Sequence, residues 1–192
     1  MLLLIAGLVI FLGAHSVRIF AEGWRTRQRE RIGEARWKGL VSLVSAGGFL
    51  LMLWGFGMAR AAPVQVWVPP LWTRHVAGLL VLLAFILLVA AYLPGTRIKS
   101  AIGHPMVAAV KVWALAHLLA NGTLADIVLF GSLLAWAILD FAASRRRDRA
   151  AGVSYPAIGI SRDLAAVLLG AVAWALFAHY AHAWLFGVSP FG

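Results

Sequence analysis

The stretch His104–Asp126, HPMVAAVKVWALAHLLANGTLAD, decides how this chain folds. It opens on a polar turn, runs into sequence apolar enough for a membrane helix, and resurfaces at Asn121-Gly122, a strong turn dipeptide. Pro105 falls at the first helical position, where a missing N–H is no loss. Lys111 and His117 lie inside the apolar run. At about 100° per residue His117 shares a face with Val110, Trp113, Ala114 and Asn121. Lys111 lies on another side, with His104 and Leu115. Ionisable groups at hydrocarbon depth are costly, so each asks for a partner or a ligand.

The rest of the chain has the same character. Of its 192 residues 62% are hydrophobic and 12% are charged, and the mean hydropathy is +0.89. A soluble domain carries roughly a quarter of its residues as charges. Apolar runs of about 20 residues are long enough to cross a bilayer core of about 30 Å. The fold class is therefore all-α, a polytopic membrane helical bundle forming a single membrane domain over residues 1–192. Six transmembrane helices are expected, over residues 2–20, 39–59, 75–93, 105–120, 124–141 and 163–186. Pro94-Gly95 closes the third, Thr123 with Asp126 makes a capping box for the fifth, and Ser161 is placed to cap the sixth. The N-terminal run lacks the positive region and A-x-A site of a signal peptide, and is read as the first span. Gly48, Gly55 and Ala59 lie near one face of the second span and invite a close neighbour.

Charge sets the orientation. The first connection holds Arg18, Arg25, Arg27, Arg29, Arg31, Arg36 and Lys38, the third holds Arg97 and Lys99, and the fifth holds Arg145, Arg146, Arg147, Arg149 and Arg162. The opposite side has Arg60 and Arg74. The positive-inside rule then puts both termini in the periplasm of a bacterial cytoplasmic (inner) membrane. The formal net charge of +10 is thereby explained by topology and lipid, and no nucleic-acid partner is expected. Trp67, Trp72 and Trp184 at one interface, and Trp24 and Trp37 at the other, read as aromatic belts. The absence of cysteine excludes disulfides, thiolate ligands and cysteine nucleophiles.

Histidine is the chemistry left to explain. His75 and His104 stand at helix starts near the interfaces, and His104, just before Pro105, is placed to cap. His179 and His182, three apart, share an α-helical face, but no HExxH or nearby carboxylate accompanies them, which favours packing. His15 and His117 both lie at hydrocarbon depth. Zinc sites draw three or four protein ligands, whereas haem iron needs one or two and an apolar slot. Ala114 and Ala116 leave room beside His117, Trp113 and Phe11 suit a porphyrin face, and Arg18, three residues after His15, suits a propionate. By helical rise, His15 falls roughly 6 Å to the inner side of the midplane and His117 roughly 5 Å to the outer side. A shared iron needs the helices to shift or tilt, and His104 is the rival partner.

Four segments add a resemblance: GAHSVRI (Gly13–Ile19), GWR…GEARWKGL (Gly23–Leu40), PGTRIKSAIGHPM (Pro94–Met106) and WALAHLLANG (Trp113–Gly122). Over about residues 1–145 the chain resembles the NnrU family of integral membrane proteins. That family is associated with denitrification and nitric oxide metabolism, and it is similar to zeta-carotene isomerase, a haem b membrane enzyme. The isomerase shifts a central cis double bond when its iron is reduced, with histidine axial ligands. The resemblance implies haem b iron held by His15 and His117, with His104 as a ligand that can switch. Arg18, Lys111, Trp113 and Asn121 then shape the pocket. It implies either a haem-dependent cis–trans isomerase acting on an apolar polyene, or a redox protein whose open iron position takes nitric oxide and which meets a redox partner.

Two other classes stand beside this reading. The line of Lys111, His117 and His179 suits a small transporter or proton-coupled carrier, although no internal repeat supports one. The basic loops suit an accessory factor that docks on respiratory enzymes or anionic lipid. No serine elbow, P-loop or dinucleotide fingerprint sits on a suitable strand–helix boundary.

Overall fold

The computed structural model describes residues 1–191 and, among them, is helical apart from turns and one isolated β-bridge. The elements in order are α1 (Leu2–Phe20), α2 (Glu22–Ile32), α3 (Glu34–Ala61), α4 (Trp72–Tyr92), α5 (Arg97–Ile102), α6 (Pro105–Ala120), α7 (Leu124–Ala151) and α8 (Ile160–Leu176). A π-helical turn, Phe177–Ala181, and α9 (His182–Phe186) continue α8. Five helical stretches are long and apolar enough to cross a membrane: α1, α3, α4, α7, and the continuous run Ile160–Phe186. The expected fourth crossing, α6, has 16 residues. At 1.5 Å per residue that is about 24 Å, short of a hydrocarbon core of about 30 Å.

The chain divides into two compact units, one of residues 1–67 with 122–140, the other of 68–121 with 141–192. In the first, α1 lies against α3 along a line of glycines. A Cβ on Gly48 would stand 2.7 Å from the Phe11 nitrogen, and one on Gly7 or Gly55 would run into the backbone of Met52 or Leu4. Small residues let two backbones meet, and in lipid such packing is the main source of helix association. Gly48 and Gly55 thus do what their spacing promised. At one end of this unit the chain before α4 meets the chain before α7. Val66 and Trp67 N–H groups donate to the Gly122 carbonyl at 2.9 and 3.2 Å, and Leu124 N–H donates to Val64 at 2.8 Å. Thr123 and Asp126 form the expected capping box, with Thr123 Oγ1 donating to Asp126 Oδ2 at 2.6 Å and Asp126 N–H donating back at 3.2 Å.

The second unit has its buried apolar centre at Ala84, Leu87 and Ala109, with Ile98, Ile102, Val112 and Trp113 around it. Its α4 and α8 also meet at a glycine, since a Cβ on Gly170 would lie 2.7 Å from Ile86 Cα. Polar ties close the ends. Fully buried Thr96 caps α5 by accepting from Lys99 N–H at 3.0 Å, and the Lys99 ammonium donates to Ala91 at 3.0 Å. Asp163 accepts from Ile98 N–H at 3.2 Å. That last bond anchors the first turn of α8, which starts at Ile160 after Gly159 with no side-chain cap. Ser161 therefore lies inside the helix and is not its cap.

Two other boundaries differ from the apolar pattern. The basic first connection contains α2, and α7 runs on through Ser144-Arg-Arg-Arg-Asp-Arg to Ala151. Arginine and alanine are strong helix formers, so a helix need not stop where its apolar run does.

Candidate functional site

His15 and His117 are held in the same way, each by its own helix. The His15 Nδ1 lies 2.7 Å from the Phe11 carbonyl, and the His117 Nδ1 lies 2.9 Å from the Trp113 carbonyl, four residues back in both cases. A carbonyl only accepts, so Nδ1 is the donor, and in the neutral ring the lone pair sits on Nε2. The residue that supplies the carbonyl also supplies a ring. Phe11 and His15 centroids are 4.4 Å apart, and Trp113 and His117 are 4.9 Å apart. Both imidazoles are thereby fixed in tautomer and orientation, the second-sphere arrangement that metal-ligating histidines use. Asn121 ends α6 and donates from its side chain to the His117 carbonyl at 2.9 Å, which steadies the turn that carries the ring.

His15 has a neighbour that the sequence reading did not single out. The Trp136 ring lies edge-on to it at 5.9 Å, and the buried Trp136 Nε1 has no hydrogen-bond partner. Ser45 Oγ is a second buried polar atom without one. The antiparallel pairing of α1 with α3, Leu4 beside Gly55 and Phe11 beside Gly48, puts Ser45 at about the level of His15. Buried donors in native proteins are nearly always satisfied, so the orphaned Trp136 donor beside an oriented imidazole marks a place where something polar is accommodated.

His104 is arranged differently. It occupies the N-cap of α6 without a side-chain capping bond, so its expected capping role is replaced. Its Nε2 meets Asp148 Oδ2 at 2.7 Å, and Tyr155 OH donates to the same oxygen at 3.1 Å. A bond to a carboxylate is stronger than a cap to a backbone amide, which is why the ring turns away from its helix. Phe141 and Tyr155 rings flank it edge-on at 6.4 and 6.0 Å. With Nε2 donating to Asp148, the atom left on His104 for any ligand is Nδ1.

The remaining candidates have local roles. The Lys111 ammonium stands 4.4 Å from the centre of the Phe141 ring, a cation–π contact that accounts for a cation at this depth. Arg18 approaches Glu22 at 4.0 Å on an exposed surface. His179 lies in the π-helical turn against Phe191, and His182 Nδ1 donates to the Val188 carbonyl at 2.8 Å. The widened turn breaks the α-helical three-residue spacing, so the two rings go to different partners and not to one face. His75 is exposed near the start of α4, as an interfacial residue would be. Of the principal pair, His15 belongs to the first unit and His117, with His104 and Lys111, to the second. Among the described residues no group of three or more His, Cys, Asp or Glu side chains is gathered as a metal cage. Two apolar cavities, one lined by Met1, Met58, Ala62 and Leu124 and the other by Leu88, Tyr92 and Leu169, contain none of the histidines.

Long apolar helices, backbone contact through glycine, and few polar groups away from the helix ends define a multi-pass helical membrane protein. No curated protein and no solved structure matches the chain. A family model does: described as NnrU protein, it matches residues 3–190, and the chain belongs to the NnrU family. The match extends past residue 145, where the recognisable motifs stop, and takes in the last long helix with His179 and His182.

Proposed function

We propose that this protein binds haem b, with His15 and His117 as the residues that would hold the iron, and works as a haem-dependent isomerase or redox protein of the bacterial inner membrane. The observation that carries this reading is the shared Nδ1–H···O=C bond to the residue four back, which puts the lone pair of each neutral ring on Nε2. The donor set fits the group. Haem takes one or two imidazoles and needs no carboxylate cage, and the orphaned Trp136 Nε1 beside His15 supplies a donor for a polar edge. When bound, the iron would supply one-electron chemistry and a Lewis-acidic centre suited to nitric oxide or the double bond of a polyene.

The chain's own part is orientation. Phe11 and Trp113 hold their imidazoles by carbonyl and ring together, which fixes the tautomer and orientation of each. Asn121 fixes the end of the turn that carries His117. Asp148 and Tyr155 hold His104 through Nε2, so any switching role for His104 runs through Nδ1.

The test is the absorption spectrum of the purified protein, oxidised and then reduced. A Soret band that is lost in both His15→Ala and His117→Ala supports the assignment, and a colourless protein refutes it. Loss in one variant alone reduces the ligand set to that histidine.

We read the topology as six crossings with both termini periplasmic, counting the short α6 as the fourth and taking the flanking arginines as cytoplasmic. The native chain has no cysteine, so Leu2→Cys and Ser189→Cys can be tested separately with an impermeant maleimide on intact spheroplasts. Labelling of both supports six crossings. Labelling of one alone means that α6 does not cross.

A further inference from the structure

The segment between α1 and α3 carries cations in two distinct states. On one face of α2, Arg25 bonds Glu22 at 2.9 Å and Arg29 meets Glu34 at 3.3 Å, while Lys38 at the start of α3 meets Glu34 at 2.8 Å. Arg27, Arg31 and Arg36 are exposed and have no carboxylate or other acceptor among the described residues. Helical spacing puts Arg27 and Arg31 together with Trp24 on the side of α2 opposite the Glu22, Arg25 and Arg29 face. The half-buried residues of α2, Glu22, Arg25, Gln28, Arg29 and Ile32, all fall on that inner face. Glu30 is the one acidic side chain on the exposed side.

The position of this face is set by connectivity. α2 begins two residues after the apolar α1 ends at Phe20, which is itself 72% exposed. Trp24 packs edge-on against Trp37 at 5.6 Å and remains 46% exposed. The packing of Trp24 on Trp37 and of Arg29 on Glu34 makes α2 run back along the first turns of α3. Trp24 and Arg27 thus fall within one or two turns of the end of the apolar segment, the depth of lipid headgroups. A half-exposed tryptophan beside arginines that lack a protein acceptor matches the anionic phosphate of a lipid and the acyl boundary beneath it.

We propose that Trp24, Arg27 and Arg31 form a binding surface for anionic phospholipid headgroups, distinct from the paired arginines on the inner face of α2. Bidentate guanidinium–phosphate contact suits arginine at these positions. Arg25 and Arg29 are each already paired with a glutamate and contribute less.

The test uses the full-length protein in a zwitterionic detergent-free nanodisc of phosphatidylcholine, titrated with phosphatidylglycerol of the same acyl chains and read by native mass spectrometry of retained lipids. Wild type should retain phosphatidylglycerol over phosphatidylcholine, and each of Arg27→Gln and Arg31→Gln should weaken that preference by about fivefold. Arg25→Gln should change it by less than about twofold, since Glu22 already holds that charge. Preference that survives added inorganic phosphate but fades in high salt identifies lipid as the source of the phosphate. Equal retention of the two lipids overturns the proposal. So does an undiminished preference in both single variants, each checked for unchanged helicity by circular dichroism, or complete competition by inorganic phosphate.

Discussion

The two units solve the same problem, holding helices together under lipid, by different means. In the first, α1 and α3 meet backbone to backbone at Gly7, Gly48 and Gly55, and its polar bonds are kept to the ends. In the second, α4 meets α6 and α8 through alanine, leucine and one glycine, and charged side chains tie its ends: Lys99 to Ala91, Asp163 to Ile98, and Asp148 to His104 and Tyr155. Lipid tails are as apolar as leucine, so at depth only close packing distinguishes a neighbour from solvent. At the boundary, water competes and a charged bond needs a defined acceptor. A glycine seam is therefore sensitive to volume, and a polar tie is sensitive to the loss of one partner.

Substitutions can break that contrast. Gly55→Leu should be the most damaging, because its side chain would have to enter the backbone of α1 at Leu4. A loss of about 3 kcal/mol is expected, read as a drop in thermal unfolding midpoint or as failure to accumulate in the membrane. Asp148→Ala should cost roughly 1–3 kcal/mol by leaving the His104 and Tyr155 donors without their acceptor, while the seam in the first unit stays intact. Thr123→Val removes the capping hydroxyl of α7 and should cost about 1 kcal/mol in the same unfolding assay. Gly57→Ala sharpens the comparison from the other side. A Cβ there meets nothing within 4 Å, so a gain of about 0.5 kcal/mol is expected. If Gly57→Ala were as harmful as Gly55→Leu, close approach would not be what the seam glycines provide.

Much of the fold could be read from the residues because membrane helices obey local rules. Apolar length located α1, α3, α4 and α7, and the Thr123–Asp126 box was fixed by a spacing of three. What escaped depended on distance along the chain or on charge. Asp148 is 44 residues from His104, and no periodicity links them. The helical basic segments, α2 and the end of α7, carry no apolar stripe from which a helix could be inferred. Ser161 had the right residue type for a cap, but Asp163 sets the start of α8 by a bond to a residue in α5. For the histidines, depth singled out His15 and His117, and their Nδ1 bonds to Phe11 and Trp113 follow from helical spacing alone. The Trp136 edge against His15 joins α1 to α7 and could not be seen in either segment by itself.

The clasp formed by Val64, Val66 and Trp67 with Gly122 and Leu124 consists of main-chain atoms only. Such a join is blind to most side chains, so Val64, Val66 and Trp67 are free to drift among related proteins without undoing it, while the Gln65 amide adds a bond to the Trp67 carbonyl. Position 122 has no such freedom, because any Cβ there would meet the Trp67 carbonyl. Relatives should vary around this clasp while keeping that single glycine.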